Sequence, residues 1–288
     1  MTGVEPGGSA AAPRVIAHRG ASARWPEHSR RAYEQALADG ADGLECDVRL
    51  TADDVPVCWH DADLDRTSDG TGPVRAHTLD RLRTLRLRGR TPDEDQPGGL
   101  LTVAELLDLA LGAGRPVRLA IELKHPSPYG FAAEDAVVDL LEAAGWDPVT
   151  GSVGAVRVSL MSFHPGSLRH LLDRVPAGHL MVLLDDLDVR AAVAEHAPTR
   201  LLTPLAVVAL RRLQRQAERL ADGVVGGVGP SVAFLVAHPE RVARWRADGA
   251  LVRVWTVDGA ADLELCRQAR VDEVTSNVPD RLLRLLGR

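Results

Sequence analysis

The chain has 288 residues, of which 45% are hydrophobic, 26% charged and only 3% aromatic, the balance of a soluble globular protein whose interior is filled by aliphatic side chains. That length accommodates one α/β barrel of about 250 residues with an insertion. A formal net charge of -6 excludes any general attraction for nucleic acid or an anionic membrane, so a phosphate-bearing ligand has to be captured by a local cationic device.

Residues 1–13 are rich in Gly and Ala, with neither a basic n-region nor an apolar h-region, and read as a flexible leader rather than a signal peptide. No apolar run approaches the roughly 20 residues of a membrane span. A cytoplasmic protein without integral membrane association is therefore expected, and the oligomeric state is left open. The three cysteines, Cys46, Cys58 and Cys266, form no CxxC pair and no Cys/His cluster of zinc spacing, so they read as reduced core residues.

From residue 14 onward, short apolar runs alternate with amphipathic stretches, which predicts βαβ units winding a parallel sheet. A first strand is expected over 14–17. Ser29 then caps a helix that carries Ala32, Tyr33, Ala36 and Leu37 on one face and stops at Gly40. The second strand is expected over 43–48. Between Pro56 and Val117 the rhythm breaks into a polar stretch with turn signals at Asp69-Gly70 and Thr71-Gly72 and a Pro/Gly-rich segment over 91–99, read as an insertion at about 61–117. Within it, Thr102 and Glu105 fit a capping box ahead of Leu106, Leu107 and Leu109.

Further strands are expected over 118–123, 155–162, 180–184, 251–257 and 273–276. Pro165 and Pro239 stand where a proline starts a helix. The segment 185–222 is the least legible, and the sixth strand is expected near 223–228.

In 43–48 the side chains alternate, so Glu45 and Asp47 share one strand face while Leu44, Cys46 and Val48 share the other. On a half-exposed strand two acids are an ordinary polar face. In a barrel both faces are covered, and neighbouring carboxylates repel and pay desolvation unless protonated or neutralised by a cation. Glu122, inside Ala120-Ile121-Glu122-Leu123-Lys124, supplies a third carboxylate. Three carboxylates with no His/Cys cluster suit Mg²⁺ or Ca²⁺ better than zinc. Lys124 is the sole lysine of the chain, which favours a phosphate-binding or charge-balancing role over an incidental strand-end position.

His18 with Arg19-Gly20 follows the first apolar run, and His60-Asp61 follows Val57-Cys58-Trp59. A lone histidine at a strand end is most often structural, a reading that applies to His77, His170 and His179. Two imidazoles beside three carboxylates suit the base and the acid of phosphodiester cleavage. Arg19 has the fork geometry to hold non-bridging phosphate oxygens.

The ordered motifs Ile16-Ala17-His18-Arg19-Gly20-Ala21, Pro26-Glu27-His28-Ser29, Gly43-Leu44-Glu45-Cys46-Asp47-Val48, His60-Asp61, Ile121-Glu122-Leu123-Lys124, Val254-Trp255-Thr256-Val257-Asp258 and Ser276-Asn277-Val278-Pro279-Asp280 resemble the glycerophosphodiester phosphodiesterase family, from Arg14 to Asp280. The resemblance implies an α/β fold, a (β/α)8 TIM barrel over 14–288 with a small insertion after the second strand. It implies a metal-dependent hydrolysis of small-molecule glycerophosphodiesters to glycerol 3-phosphate and an alcohol, through a cyclic phosphate. His18 and His60 are then the catalytic acid and base, and Glu45, Asp47 and Glu122 the ligands of one divalent ion. Arg19 and Lys124 are the phosphate contacts, and Trp255 is either a substrate-side aromatic or a core residue of the seventh strand.

Two departures stand out. His28 replaces the family's Asn, and Ser276-Asn277 replaces Thr-Asp. Glu27 reads equally as a helper of the site or as a first-turn acid favoured by the helix dipole. A lysophospholipase D-like activity on the same barrel, or a non-catalytic phosphodiester-binding barrel, are the alternatives. The polar, Arg-rich composition over 61–99 predicts small water-soluble headgroups.

Overall fold

Eight parallel strands close into a barrel in a computed structural model that describes residues 12–89, 96–97, 99–186 and 203–288. Counting barrel strands only, these are β1 (Arg14–His18), β2 (Gly43–Leu50), β3 (Val117–Leu123), β4 (Val156–Ser162), β5 (Leu180–Leu184), β6 (Gly227–Pro230), β7 (Leu251–Val254) and β8 (Glu273–Ser276). Each pairs with the next, and β8 returns to pair with β1, which leaves no barrel edge exposed. Most of the expected leader, residues 1–11, lies outside the described residues, as do 90–95 and 98 of the expected insertion and 187–202 of the segment that resisted reading.

The period-2 alternation sorts the side chains into two layers. Val15, Leu44, Cys46, Leu119, Ile121 and Leu160 belong to the apolar layer between the strands and the outer helices. Ile16, Ala120, Met161, Met181 and Leu183 form a smaller cluster from the opposite strand faces, inside the barrel. Glu45 and Asp47 share that inner face with Gly43, whose own lack of a side chain is needed: a Cβ there would meet the Arg118 carbonyl oxygen at 2.6 Å and Ile16 Cδ1 at 2.7 Å.

The helices begin where local chemistry says they should. Ser29 accepts from the Ala32 amide to start the helix Arg30–Ala38, a cap worth about 1 kcal/mol. Thr102 and Glu105 form a reciprocal capping box on Val103–Leu111. Proline occupies the first turn of Pro165–Leu171 and Pro239–Ala247.

After β2 the chain leaves the barrel. Pro56–Cys58 folds back antiparallel on β2, with Cys58 opposite Val48, and Val57, Trp59, Leu64, Val74, Leu82, Leu85, Leu87 and Leu100 make a separate small core. The helix Val103–Leu111 then buries Val103, Leu106, Leu107 and Ala110 in the main outer layer.

Two strands differ from expectation by more than two residues. The sixth strand is Gly227–Pro230 rather than 223–228, because Val225 and Gly226 still belong to the turn that ends the preceding helix: Val225 donates to the Leu220 carbonyl and Gly226 to that of Ala177. The seventh strand stops at Val254, three residues early, and Trp255 adds only an isolated parallel bridge to Ser231. The illegible segment contains the helix Thr203–Ala221. All three cysteines are buried and free, and among the described residues no helix is long and apolar enough to cross a membrane.

Candidate active site

Barrel register assembles the site. His18 on β1 lies directly across from Glu45 on β2, and Asp47 on β2 lies across from Glu122 on β3. His18 ends β1 and Glu122 is next to last in β3, and Glu45 and Asp47 on the longer β2 are level with them, toward the face on which barrel enzymes carry their chemistry. His60 arrives by the antiparallel hairpin, where the Trp59 amide donates to the Asp47 carbonyl. A cavity of about 360 Å³ is lined by His18, Arg19, Glu45, His60, Glu122 and Lys124 together with Arg253, Phe163 and Trp255.

Glu45, Asp47 and Glu122 each offer an oxygen within 4.8 Å of the others, and they are 1%, 0% and 8% exposed. Burial and the Asp47 charge push the Glu45 carboxyl well above the usual carboxylate range. The same two causes push Glu122 up to about 7. Burial also opposes ionisation of Asp47, but the His28 hydrogen bond and the charges of Lys124 and Arg19 outweigh it and hold that carboxyl well below the usual range. Among the described residues Asp47 Oδ1 has no hydrogen-bond partner, although the Lys124 ammonium lies 3.2 Å away. Three converging buried oxygens, one without a hydrogen bond and two carboxyls reluctant to ionise, are a donor set suited to a hard divalent cation.

The cations are drawn onto the acids. Lys124 donates to Glu122 at 2.7 Å, and these carboxylates hold its ammonium above its ordinary pKa despite burial. Arg19 brings Nε to 2.9 Å from Asp47 Oδ2 and donates from Nη1 to Glu27, while its backbone amide donates to Glu45 Oε2 at 3.0 Å. Gly20 makes this geometry reachable, since a Cβ there would stand 2.6 Å from the Ala32 carbonyl carbon.

Both imidazoles are anchored through Nδ1, leaving Nε2 for chemistry. His18 Nδ1 lies 2.8 Å from Asn277 Oδ1, and His60 Nδ1 lies 2.6 Å from Asp61 Oδ1. Burial and the neighbouring Arg19 charge push His18 down to about 4, and burial also lowers His60. Trp255 is half-buried, lines the cavity and donates Nε1 to the Gly229 carbonyl, so it has an anchored edge and an exposed one.

Four further residues support this arrangement. Asp258 accepts from the Asn277 amide and side chain and from Ser276 Oγ, which fixes the carboxamide oxygen toward His18. Arg66 joins Glu27 to Asp61 with bonds of 2.6–3.1 Å, and Glu27 is held down to about 2, its burial outweighed by the Arg66 bond and the Arg19 charge. Sequence reasoning gave Asn277, Asp258, Asp61 and Arg66 no roles; their only signal was membership of the motifs around them. His28, at φ 62°, occupies the left-handed region in which Asn and His are enriched. Its Nε2 lies 3.0 Å from Asp47 Oδ2 and its Nδ1 2.8 Å from the Tyr33 hydroxyl, which donates to the Glu45 carbonyl. His77, His170 and His179 bind Thr71, Asp135 and Pro148 away from the site.

A TIM barrel with acids and imidazoles around one cavity at its carboxyl face defines the class: a barrel hydrolase for phosphoric diesters. Residues 18–281 match the sequence model of the glycerophosphoryl diester phosphodiesterase family. The chain is 36% identical over 277 residues to a probable glycerophosphodiester phosphodiesterase 1 of Mycobacterium tuberculosis, covering 93% of this chain and 90% of the relative. It is 43% identical to human glycerophosphodiester phosphodiesterase 1 over 100 residues, 33% of this chain and 30% of that one. An Oleispira antarctica phosphodiesterase, solved with the product sn-glycerol-3-phosphate, superposes with a TM-score of 0.71 at 22% identity, over 96% of this chain and 98% of the other. A Parabacteroides distasonis glycerophosphodiester phosphodiesterase gives 0.67 at 24%, over 96% and 97%. The chain belongs to the glycerophosphoryl diester phosphodiesterase family and is a phosphoric diester hydrolase.

Proposed function

We propose that this cavity hydrolyses glycerophosphodiesters to glycerol 3-phosphate and an alcohol, with Glu45, Asp47 and Glu122 holding one Mg²⁺ or Ca²⁺ ion and His18 and His60 moving the protons. The observation that carries this reading is the convergence of three buried carboxylates in a cavity that both imidazoles line. A divalent ion there supplies Lewis-acid stabilisation of negative charge on the diester and its attacking oxygen.

The chain's own residues do the rest. One imidazole Nε2 takes the proton from the glycerol 2-hydroxyl as that oxygen attacks phosphorus, and the other gives a proton to the departing alcohol. Water then opens the resulting cyclic phosphate with the two roles exchanged. Because each Nδ1 is held by an acceptor oxygen, each ring presents the same nitrogen to the substrate in both steps. Arg19 and Lys124 line the cavity and are the phosphate-binding cations, released from the carboxylates to the extent that the ion takes their place. Trp255 and Phe163, in edge-to-face contact, are the aromatic part of the cavity wall.

The test is an assay of metal-stripped protein with glycerophosphocholine and glycerophosphoethanolamine after addition of Mg²⁺, Ca²⁺ or Mn²⁺, comparing wild type with Glu45→Ala and His18→Ala. Restoration of wild type alone supports the proposal. Turnover indifferent to both substitutions contradicts it.

A further inference from the structure

Strand alternation also dictates what stands at the amino ends of the barrel strands. Ile16, Ala120, Met161 and Leu251 belong to the inner cluster, so a period of two turns Arg14, Arg118, Arg157 and Arg253 inward as well. Register brings them together: Arg118 on β3 lies across from Arg157 on β4, and Glu273 on β8 lies across from both Arg14 on β1 and Arg253 on β7. Glu273 answers Arg118 and Arg253, but among the described residues neither Arg14 nor Arg157 makes an ion pair. Asp42 and Asp272 stand close by in sequence, with outward parity. They are spent on the Val15 and Val252 amides, and Asp42 also on Arg288. Burial lowers the Arg118 pKa, and the charges of Arg14, Arg157 and Arg253 lower it further against the pull of Glu273, the mark of a local cation excess.

A cavity of about 40 Å³ opens at this end, walled by Arg118, Arg157 and Arg253 with Ser159 and His179, and among the described residues no Asp or Glu lines it. A water needs about 10–15 Å³ of such space, so there is room for one small polyatomic ion. Arg253 is 3% exposed, and its Nη2 lies 3.3 Å from Ser159 Oγ. His179 has its Nε2 taken up by the Pro148 carbonyl. We propose that this cavity binds one small tetrahedral oxyanion, inorganic phosphate or sulfate, between Arg118, Arg157 and Arg253, on the barrel face opposite the catalytic one. Three guanidinium forks match the oxygens of such an ion, the missing negative charge calls for an anion, and the size of the space leaves no place for an organic substituent. Arg253 also lines the catalytic cavity, but the site does not rest on the catalytic reading above and uses none of the residues assigned to the chemistry.

The test titrates inorganic phosphate and sulfate into the full chain by calorimetry and follows thermal unfolding in each, against chloride at equal ionic strength. Phosphate and sulfate are expected to raise the unfolding temperature by about 2 °C or more beyond chloride. Arg157 is exposed and lies at the far end of β4 from the catalytic cavity, so the difference between wild type and Arg157→Gln isolates this site from phosphate held by Arg19 and Lys124. Arg157→Gln weakens binding by about tenfold, and Arg157→Lys, which keeps the charge without the fork, weakens it less. Without phosphate both variants unfold within about 2 °C of wild type. Glycerol 3-phosphate binds the Arg157-dependent site more weakly than phosphate does. Stabilisation no greater than that by chloride, or phosphate binding unchanged in Arg157→Gln, overturns the proposal. Arg157-dependent binding of glycerol 3-phosphate as tight as that of phosphate overturns the assignment to a bare ion.

Discussion

Two buried ionic clusters occupy the same barrel interior, and they are built on opposite principles. Toward the amino ends of the strands, Glu273 is fully enclosed and receives the Arg253 guanidinium through Nε at 2.7 Å and Nη2 at 2.6 Å, with Arg118 Nη1 2.9 Å from its other oxygen. One carboxylate meets two guanidinium groups. At the carboxyl ends, three carboxylates meet one lysine and one arginine, and Glu45 and Glu122 resist ionisation. The first cluster gives its one carboxylate an excess of cationic partners and ties β3, β7 and β8 together. The second leaves a negative surplus in a low-dielectric setting, which a barrel tolerates where a cation is to be bound.

Substitutions on each side sharpen that contrast, beginning with the largest effect. Glu45→Gln replaces one of the three buried carboxyls by a neutral amide and lowers kcat/KM by about a thousandfold, while equilibrium denaturation shows a fold at least as stable as wild type, because a buried group that resists ionisation is gone. Glu273→Gln has the inverse outcome: it leaves Arg253 and Arg118 without a counter-charge, costs about 3–5 kcal/mol in urea unfolding, and preserves ion binding in the folded protein. If Glu273→Gln abolished ion binding without loss of stability, the division into structural and functional clusters would be wrong.

A smaller effect belongs to the residues that aim the imidazoles. Asn277→Leu deletes the acceptor that holds His18 Nδ1 and lowers kcat by about 10- to 100-fold, whereas Asn277→Asp retains an acceptor and keeps most of the activity. Steady-state kinetics on the two variants distinguishes orientation from bulk. The smallest effect is at the surface. Asp42 accepts two bonds from Arg288 and one from the Val15 amide, and although burial opposes it, these partners hold its carboxyl below the usual range. A carboxylate with a lowered folded-state pKa stabilises above its unfolded pKa of about 3.9 and loses that contribution as pH falls through the folded value. Asp42→Asn therefore costs about 1 kcal/mol or less at pH 7, given its partial exposure, and nothing in strong acid, as thermal unfolding across pH 2–7 will show.

The legibility of the sequence follows the same division. Strand alternation placed Glu45, Asp47 and Glu122 on one face, and barrel closure had only to bring β2 and β3 into register to unite them. His18 was readable because a strand ended beside it. Asn277, Asp258 and Arg66 were not, because their contacts join residues up to 259 positions apart, and no local period encodes such a meeting. The sixth strand was misplaced by its valines: Val224-Val225 has strand composition, but tertiary hydrogen bonds keep it in a turn. The helix Thr203–Ala221 escaped notice because the segment before it carries no motif, and an amphipathic helix alone does not say what it faces.

The most direct test of the central claim is calorimetric titration of Mg²⁺ and Ca²⁺ into metal-stripped protein at pH 6 and pH 8, in buffers of different ionisation enthalpy. With Glu122 held at about 7 and Glu45 above the usual range, the ion has to displace protons, so affinity weakens as pH falls below 7. The account predicts one ion per chain, proton release at pH 6, an affinity about tenfold or more higher at pH 8, and loss of the binding in Glu45→Gln. Binding that is independent of pH and survives Glu45→Gln would contradict it.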